Sequence, residues 1–371
     1  MAVVSRTRAW PLLLTALVLA VLTGLLTPPP ASAEGTSGET SVYINTATEG
    51  DGPRTPDIIS TSANNAVVVW REGLTPNKVD MGYIRYSYTT DGGATWSRPQ
   101  VLAQESSEWA WHYVILYKSG NDLFAYLGRS LATATNGLPI KATVAKRSTD
   151  EGHTWQDYPI QVPNINNLIF AGRPLKLANG KHVIPYWAEG RENGVLISSD
   201  LKNWTQGGTI DGAPLSAGEP QLAVSQDDPN ELVMVARSAQ SGAATATSTD
   251  GGLHWTPFRA DANLPSYNIA KSYFTKDSNG KYLYIYNAGT DSKNRDVLNY
   301  KVKRPGAAWS TGKLFADGPA SQKDPTPVGT GEDWDTYAMA DEYAPGKFYV
   351  AWEFDTSRIK VNKLDVSDIT G

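Results

Sequence analysis

Short apolar runs separated by turn residues follow one another along most of the chain. The runs are rich in β-branched and aromatic residues, and each has the length of a strand. They include residues 41–44, 66–70, 123–127 and 281–286. Asn-Gly and Pro-Gly pairs lie between such runs, and beyond the first 33 residues no segment keeps the 3.6-residue period of an amphipathic helix. The pattern predicts an all-β protein of many short strands.

One turn motif recurs along the chain at a nearly constant spacing. It occupies residues 89–96, 148–155 and 248–255, is shortened at 198–204, and leaves a trace at 305–309. Each copy ends in a tryptophan, and successive tryptophans are 59, 49, 51 and 54 residues apart. A period of this size indicates a repeated supersecondary unit.

The residue types of the first copy explain why it forms a turn. Asp91 can accept backbone N–H bonds, Gly92 tolerates a positive φ, and Trp96 is large enough to anchor the turn against its own blade. Turn chemistry accounts for every position of the motif. Asp91 and its equivalents Asp150 and Asp250 are therefore predicted to be structural and to lie away from the chemistry.

This motif resembles the Asp-box, S-x-D-x-G-x-T-W, of sialidases and related β-propellers. Dividing roughly 338 residues by a repeat of about 53 gives about six units, which is within the range of propellers. The predicted fold is all-β: a six-bladed β-propeller of four-stranded antiparallel blades. A single propeller is predicted to span residues 34–371.

The first 33 residues are predicted to lie outside the propeller. Arg6 and Arg8 form a basic segment, residues 10–26 are apolar, and residues 31–33 are small enough for cleavage. This is the pattern of a secretory signal peptide at residues 1–33, with a membrane anchor as the alternative. We therefore expect a secreted, extracellular protein.

Charge and composition narrow the possible partners. The chain has 33 Lys and Arg against 38 Asp and Glu, and its net charge of −5 becomes −7 without Arg6 and Arg8. A mildly acidic exported protein is a poor candidate for nucleic-acid binding. Cysteine is absent and the four histidines lack metal-ligand spacing, so no metal and no cofactor is predicted. The expected partner is a carbohydrate, either a glycan or a polysaccharide, and no membrane contact is expected after signal cleavage. The sequence does not determine the oligomeric state.

The segments between the Asp-boxes resemble sialidases, above all the bacterial exo-α-sialidases. Residues 52–58 look like the family's Arg-Ile-Pro opening, and residues 218–237 are similar to its pairing of a glutamate with an arginine. Residues 287–300 resemble the segment that supplies a further arginine. The resemblance implies an arginine triad that binds the substrate carboxylate. The matching residues are Arg54, Arg237 and Arg295.

The same resemblance implies roles for four more residues. Tyr337 matches the nucleophile, and Glu219 matches the base that polarises it. Glu353 would hold Arg54 in place. Asp80 lies between the opening arginine and the first Asp-box, as the family's general acid does. The predicted catalytic residues are thus Tyr337, Glu219 and Asp80, with Glu353 among the substrate-binding residues.

The chemistry of a sialoside gives a reason for these residue types. Its carboxylate is bound well by guanidinium groups, which make forked, charge-assisted hydrogen bonds. A carboxylate nucleophile would be repelled by that same carboxylate, so a neutral phenol suits the reaction better. With an ordinary pKa of about 10, the phenol needs a neighbouring base. We expect a retaining exo-glycoside hydrolase that releases terminal sialic acid.

Two other functions stay open at this stage. The sialidase fold also occurs in arabinan-degrading hydrolases and in lyases, and Arg173 with His112 could form a site that abstracts a proton from a uronic acid. A non-catalytic glycan-binding propeller predicts instead that the polar groups do not converge on one cavity. The aromatic cluster at residues 108–113 could line a sugar subsite or pack at a blade edge.

Overall fold

Six antiparallel sheets are arranged as the blades of a β-propeller, which confirms the predicted fold class. The structure is a computed structural model, and it describes residues 40–44, 52–76, 78–240, 242–266, 270–288, 295, 297–316, 334–354 and 357–369. The predicted signal peptide, residues 1–33, lies outside the described residues.

The strands are assigned to blades in chain order. Strand β1 (Thr40–Ile44) comes first. Blade 1 is formed by β2 (Gly52–Ser60), β3 (Ala66–Gly73), β4 (Tyr83–Thr89) and β5 (Gln100–Ala103), and blade 2 by β6 (Trp109–Ser119), β7 (Asp122–Leu131), β8 (Ala142–Ser148) and β9 (Gln156–Tyr158). Blade 3 is formed by β10 (Ile169–Phe170), β11 (Leu175–Lys176), β12 (His182–Trp187), β13 (Glu192–Ser198) and β14 (Thr205–Asp211), and blade 4 by β15 (Gly218–Val224), β16 (Leu232–Arg237), β17 (Ala243–Ser248) and β18 (Arg259–Asp261). Blade 5 is formed by β19 (Tyr273–Lys276), β20 (Tyr282–Asn287), β21 (Leu298–Lys303) and β22 (Lys313–Ala316), and blade 6 contains β23 (Asp335–Ala344), β24 (Lys347–Phe354) and β25 (Arg358–Asp365). Two short 3-10 helices, Glu189–Arg191 and Ala213–Leu215, lie in connections.

The ring is closed by the first strand of the chain. Strand β1 pairs antiparallel with β25, with Thr40 opposite Val361, and so becomes the outer strand of blade 6. The ends of the described chain are thereby tied together through one sheet. Closure of this kind protects the sheet edges from pairing with another molecule.

Blade 3 departs from the four-strand pattern because its inner strand is interrupted. Strands β10 and β11 both pair with β12, and residues 171–174 leave the sheet between them. This interruption places Arg173 on the propeller axis, where it pairs with Asp57 of blade 1 and, at 3.1 Å, with Asp341 of blade 6.

The Asp-boxes form the turns between the third and fourth strands of blades 1 to 4. In the first, Asp91 accepts the Thr95 N–H at 2.9 Å and the Thr95 hydroxyl at 2.6 Å. Gly92 donates its N–H to Asn64 O at 2.9 Å, so the turn packs on the β2–β3 hairpin. Asp150, Asp200 and Asp250 make equivalent contacts. Residues 305–309 make the corresponding turn of blade 5, and blade 6 has none because β1 is its fourth strand.

The tryptophans of these turns pack differently from the prediction. Trp155 of blade 2 lies 6.3 Å from Tyr86 of blade 1, and Trp204 of blade 3 lies 5.8 Å from Tyr126 of blade 2. In these two copies the tryptophan ring packs on the preceding blade, which the prediction did not include, and the Trp155 indole N–H also donates to Gly152 O of its own turn at 3.0 Å. The apolar space between neighbouring blades is where a side chain of this size is best buried.

The described residues include no helix that is both long enough and apolar enough to cross a bilayer.

The hydrogen bonds of Asp91 predict a pH-dependent contribution to stability. The side-chain bond from Thr95, with its backbone bond, lowers the pKa of Asp91 to about 2. A depressed folded-state pKa gives stability above the unfolded value of about 3.9, and this stability is lost as the pH falls through the folded value. Asp91→Asn should therefore lower the Tm at pH 7, and the gap to wild type should narrow between about pH 4 and pH 2.

Thermal unfolding followed by circular dichroism at several pH values tests this. Asp157→Asn is the matched control, because the Asp157 side chain is 90% exposed. A gap that stays constant down to pH 2 would contradict the proposed role of the Asp91 carboxylate.

Candidate active site

A cavity of about 420 Å³ opens on the face where the inner strands begin. Its described walls come from all six blades. All seven residues predicted from the sequence line it: Arg54, Asp80, Glu219, Arg237, Arg295, Tyr337 and Glu353. The sequence prediction thus selected residues that are far apart in the chain and close in space.

The same backbone irregularity begins the inner strands of blades 1, 4 and 6. In each, the inner strand advances three residues while its partner advances two, which is a β-bulge. The second residue of each bulge has a positive φ: Thr55 at 46°, Glu219 at 54° and Tyr337 at 53°. Such values are unfavourable for residues with large or branched side chains, and they cluster at functional sites. The bulge turns the Glu219 and Tyr337 side chains out of the sheet pattern and into the cavity.

A second equivalent position lies opposite each bulge, near the end of the second strand. It is Arg71 in blade 1, Arg237 in blade 4 and Glu353 in blade 6. All three side chains line the cavity. Blades 1, 4 and 6 therefore supply the site with two sets of equivalent positions, one on the inner strands and one on the second strands.

Tyr337, Glu219 and Arg237 form a closed triangle on the cavity wall. The Tyr337 hydroxyl donates to Glu219 Oε1 at 3.3 Å, and Arg237 Nη1 lies 3.0 Å from Glu219 Oε2. Arg237 Nη1 also donates to the Tyr337 hydroxyl at 3.4 Å. Burial, followed by the Glu219 charge, raises the pKa of Tyr337 to about 12, against the opposing effect of Arg237 and Arg295. The phenol is therefore neutral at ordinary pH and donates its hydrogen bond to Glu219.

Arg54 and Arg295 are held around one indole. Their guanidinium carbons lie 5.0 Å and 4.6 Å from the centre of the Trp334 ring. Arg295 is also 5.3 Å from the Tyr337 ring. The carboxylate of Glu353 lies 3.6 Å from Arg54. Arg54, Arg237 and Arg295, the three predicted arginines, therefore line one cavity together with Tyr337.

Glu353 is a fully buried carboxylate that orients its neighbours. It accepts the Thr55 N–H at 2.9 Å, so it holds the backbone next to Arg54 as well as the guanidinium. Burial raises the pKa of Glu353, and the charges of Arg54 and Arg295 oppose that rise. Glu353 thus lies beside Arg54, the neighbour that the resemblance to sialidases implied.

Asp80 lies at the mouth of the cavity in a strained conformation, with a φ of 56°. Its carboxylate pairs with Arg71 at 3.1 Å, and its side chain is 53% exposed toward the cavity. Burial within the surrounding protein by itself raises the pKa of Asp80. The Arg71 charge, with smaller effects of His112, Arg54 and Arg295, more than offsets this and lowers the pKa below its ordinary value.

A loop of blade 2 fixes the backbone around Asp80. Val79 donates its N–H to Thr135 O at 2.9 Å, and His112 Nδ1 lies 2.7 Å from Asp80 O. Since that oxygen can only accept, His112 carries a proton on Nδ1. Gly137 sits directly against this junction: a Cβ built there would lie 2.1 Å from Asp80 O and 2.6 Å from His112 Nδ1.

Further residues outside the seven predicted ones also line the cavity. Among them are Arg71, His112, Trp187, Lys271 and Trp334. Arg71 had a usable signal, because it lies near the end of its strand as Arg237 does. His112 lies in the aromatic cluster of residues 108–113, whereas Trp187, Lys271 and Trp334 follow no motif that a single sequence exhibits.

The alternative pairing of Arg173 with His112 is wrong. Arg173 is engaged with Asp57 and Asp341 on the propeller axis, whereas His112 faces the cavity. The convergence of charged groups is also the opposite of what a non-catalytic propeller predicts. In the described part of the chain, no cluster of three His, Cys, Asp or Glu side chains could hold a metal ion.

The aromatic cluster at residues 108–113 divides between the two roles considered for it. Trp109 stacks on the Arg129 guanidinium at 4.1 Å, and the buried Trp111 donates its indole N–H to Gln104 O at 2.9 Å. Both therefore pack at the blade edge. His112 and Tyr113 line the cavity.

The comparison with protein families gives one match, which covers most of the chain. The BNR repeat-like domain matches residues 53–355. The chain belongs to the BNR repeat-like family. This range runs from the opening of blade 1 to the end of β24 and includes every predicted site residue. No protein of curated function matches the chain by sequence.

Solved structures similar to this BNR-repeat propeller include several sialidases. A Hadza microbial sialidase, Hz136, superposes with a TM-score of 0.68 at 15% identity, over 88% of this chain and 68% of that one. An intramolecular trans-sialidase from Ruminococcus gnavus has a TM-score of 0.64 at 12% identity, over 90% and 98%. A protein of unknown function from Dyadobacter fermentans gives 0.68 at 16%, over 89% and 98%. The family match and these folds confirm the resemblance to the sialidase superfamily.

The close approach at Gly137 predicts the effect of adding one methyl group. Gly137→Ala should displace the Asp80 backbone, because the Cβ would meet a carbonyl oxygen rather than a movable side-chain end. The Val79 amide should then lose protection in hydrogen exchange measured by mass spectrometry. Gly120→Ala is the matched control: its φ is also positive, at 62°, but its Cβ would meet nothing within 4 Å. Equal protection of the Val79 amide in both variants would contradict the conclusion that the blade 2 loop fixes the backbone around Asp80.

Proposed function

We propose that this chain is an exo-glycoside hydrolase that releases a terminal sialic acid, or a related acidic sugar, from glycoconjugates. One observation carries the proposal: the Tyr337–Glu219 pair and three arginines from different blades surround the same cavity. The sialidase folds among similar structures support the same class of activity. Their low identity, 10–16%, leaves the substrate to be argued from the site.

The charge of the cavity favours an anionic substrate. Its described lining contains four arginines and one lysine against three carboxylates. Each carboxylate already has an arginine within 4 Å: Glu219 with Arg237, Glu353 with Arg54, and Asp80 with Arg71. Arg295 lies on two aromatic rings, so its charge is available to a carboxylate that enters the cavity. A neutral arabinan would have no use for this arrangement.

In the first chemical step, Tyr337 attacks the anomeric carbon. Glu219 accepts the phenol proton as the oxygen–carbon bond forms. Asp80, in its protonated form, donates a proton to the leaving oxygen, and the aglycone departs as an alcohol. The sugar is then held as a glycosyl-tyrosine, with its carboxylate paired to the arginines. A neutral phenol avoids the repulsion that an anionic nucleophile would meet from the substrate carboxylate.

In the second step, water replaces the tyrosine. Asp80, now a carboxylate, takes a proton from the attacking water, and Glu219 returns the proton to the Tyr337 oxygen. The anomeric configuration is retained because two inversions occur. Arg54 and Glu353 act only in binding: Glu353 fixes the guanidinium that meets the substrate carboxylate.

Export from the cell is part of the same proposal. We propose that residues 1–33 are a cleaved signal peptide and that residues 34–371 form the secreted catalytic propeller. The basic, apolar and small-residue segments of the first 33 residues support this. N-terminal sequencing of the protein recovered from the medium of an expressing culture tests it. A mature chain that starts near Glu34 is expected, and retention of Met1 would contradict it.

Hydrolysis of a fluorogenic sialoside tests the function. Wild type should release the fluorophore, Tyr337→Phe should lose activity by about a thousandfold or more, and Arg295→Ala should lose it mainly through a higher KM. Tyr343→Phe is the matched control, since that ring packs 4.9 Å from Tyr349, outside the cavity lining. Full activity in Tyr337→Phe would remove the nucleophile assignment. Inactive wild type, or an unsaturated uronate product from a polyuronate, would overturn the proposed hydrolase.

The ion pair between Arg71 and Asp80 predicts the alkaline limb of the pH profile. A general acid must be protonated, so kcat/KM falls as the pH rises through the pKa of Asp80. Arg71 lowers that pKa by favouring the carboxylate. Arg71→Met should raise it and move the alkaline limb to higher pH.

The profile of kcat/KM from pH 4 to pH 9 measures this shift. Arg259→Met, at an exposed position of β18, is the matched control and should leave the limb unchanged. If the alkaline limb of Arg71→Met does not move although the variant keeps its Tm, Asp80 is not the general acid.

A further inference from the structure

Lys271 is a lysine that lines the catalytic cavity and has almost no contact with solvent. It lies two residues before β19, on the inner side of blade 5, and is 5% exposed. Its ammonium nitrogen lies 5.9 Å from the centre of the Tyr337 ring. Among the described residues, no carboxylate comes within 4 Å of it. A lysine buried to this extent is normally paired, so its position needs an explanation.

Burial is the largest effect on Lys271 and, with the Arg173 charge, lowers the pKa of this lysine below its ordinary value. The charges of Glu219, Asp57 and Glu353 oppose this effect and favour the cation. Three carboxylates therefore face it, together with one arginine and the Tyr337 phenol. Among the described residues, none of these carboxylates lies within 4 Å of the ammonium, so they act on it only through space.

The electrostatics of Tyr337 explain why a lysine lies at this buried position. Burial and the Glu219 charge both disfavour a phenolate at this position, and Arg237 and Arg295 oppose them. In the proposed reaction, Arg237 is already paired with Glu219, and Arg295 is partly neutralised by the substrate carboxylate. A further cation that binds neither partner would keep its effect on the phenol throughout the cycle.

We propose that Lys271 is a positioning residue that stabilises the developing phenolate of Tyr337 from the floor of the cavity. The inference rests on the proposed function, in which Tyr337 is the nucleophile. Lys271 acts through Tyr337 and exchanges no proton with the substrate. Its charge promotes both the attack of the phenol oxygen and its later departure from the glycosyl-tyrosine.

Replacement by methionine separates this role from a structural one. Lys271→Met keeps the length of the side chain and removes a buried charge, so the Tm should be equal or higher. The kcat on the fluorogenic sialoside should fall about 10- to 100-fold with KM within about twofold, and Lys271→Arg should restore most of it. Lys276→Met is the matched control, because that half-buried lysine donates to Ser225 O at 2.8 Å, outside the cavity lining. If Lys271→Met instead lowers the Tm, lowers kcat and raises KM together, the role of Lys271 is structural.

A measurement that needs no activity makes the proposal independent of the substrate. Site-specific 3-fluorotyrosine at position 337 reports the ionisation of the phenol by fluorine NMR. A unit charge 5.9 Å from the ring centre should change that pKa by about one to two units. The pKa should therefore be higher in Lys271→Met than in the protein that keeps Lys271, and intermediate or unchanged in Lys271→Arg.

The two readouts distinguish failure of the inference from failure of the function. An unchanged fluorotyrosine pKa in Lys271→Met overturns the role of Lys271, whatever the activity. A raised pKa together with an inactive wild type supports the electrostatic coupling and overturns the glycosidase. A more acidic difluorotyrosine at position 337 should recover part of the kcat lost in Lys271→Met. No recovery, with the fluorotyrosine pKa unmoved, would leave Lys271 without a part in the reaction.

Discussion

The site depends on one buried ion-pair network at the propeller axis. Arg173, from the interruption in the inner strand of blade 3, binds Asp57 of blade 1 and Asp341 of blade 6. Asp57 also accepts the Leu116 N–H of blade 2 at 2.7 Å, and Asp341 accepts the Ser60 N–H at 2.8 Å. Four blades are therefore linked through buried charges. Such a network contributes more to geometric specificity than to net stability, because desolvation offsets much of the attraction.

The network matters to the chemistry because Asp57 belongs to the bulge that begins β2. Asp57 is two residues from Thr55, whose strained backbone is also held by Glu353. Left-handed conformations of this kind cost on the order of 1–3 kcal/mol each and persist only where neighbouring contacts fix them. The axis fixes one end of the bulge and Glu353 fixes the other. Arg54 is consequently presented to the cavity by a rigid backbone, which reduces the entropy lost on binding an anion.

The repeat could be predicted from the sequence because turn chemistry is local. Asp91 and its equivalents need particular residues at fixed offsets, so the period of the motif is enough to predict the number of blades. The packing of Trp155 across a blade boundary is a long-range contact, and the motif itself holds no information about it. Six of the seven predicted residues that line the cavity were selected from segments that resemble the family, and Asp80 was selected from its position before the first Asp-box. Lys271 and Trp334 were missed because their importance comes from distance to Tyr337, which only the closed ring defines.

The equivalence of the blades explains how one repeated unit yields different chemical groups. Thr55, Glu219 and Tyr337 occupy the same bulge position in blades 1, 4 and 6, and Arg71, Arg237 and Glu353 occupy the same position opposite them. The backbone device is shared, and only the side chain differs. Glu219 and Tyr337 are therefore placed on different blades with the same strained geometry, and their oxygens approach to 3.3 Å.

Charge couples these positions in the proposed reaction. In the free protein, the pKa of Asp80 is lowered by four neighbours, Arg71, His112, Arg54 and Arg295. Asp80 is therefore ionised, whereas a general acid must be protonated. A bound carboxylate would neutralise Arg54 and Arg295, which are two of these four groups, and the pKa of Asp80 would rise toward the value the reaction needs. A neutral sugar of the same shape would leave Asp80 ionised. Selection for an acidic sugar would then act on the protonation of the acid, in addition to the affinity of the arginines for the substrate.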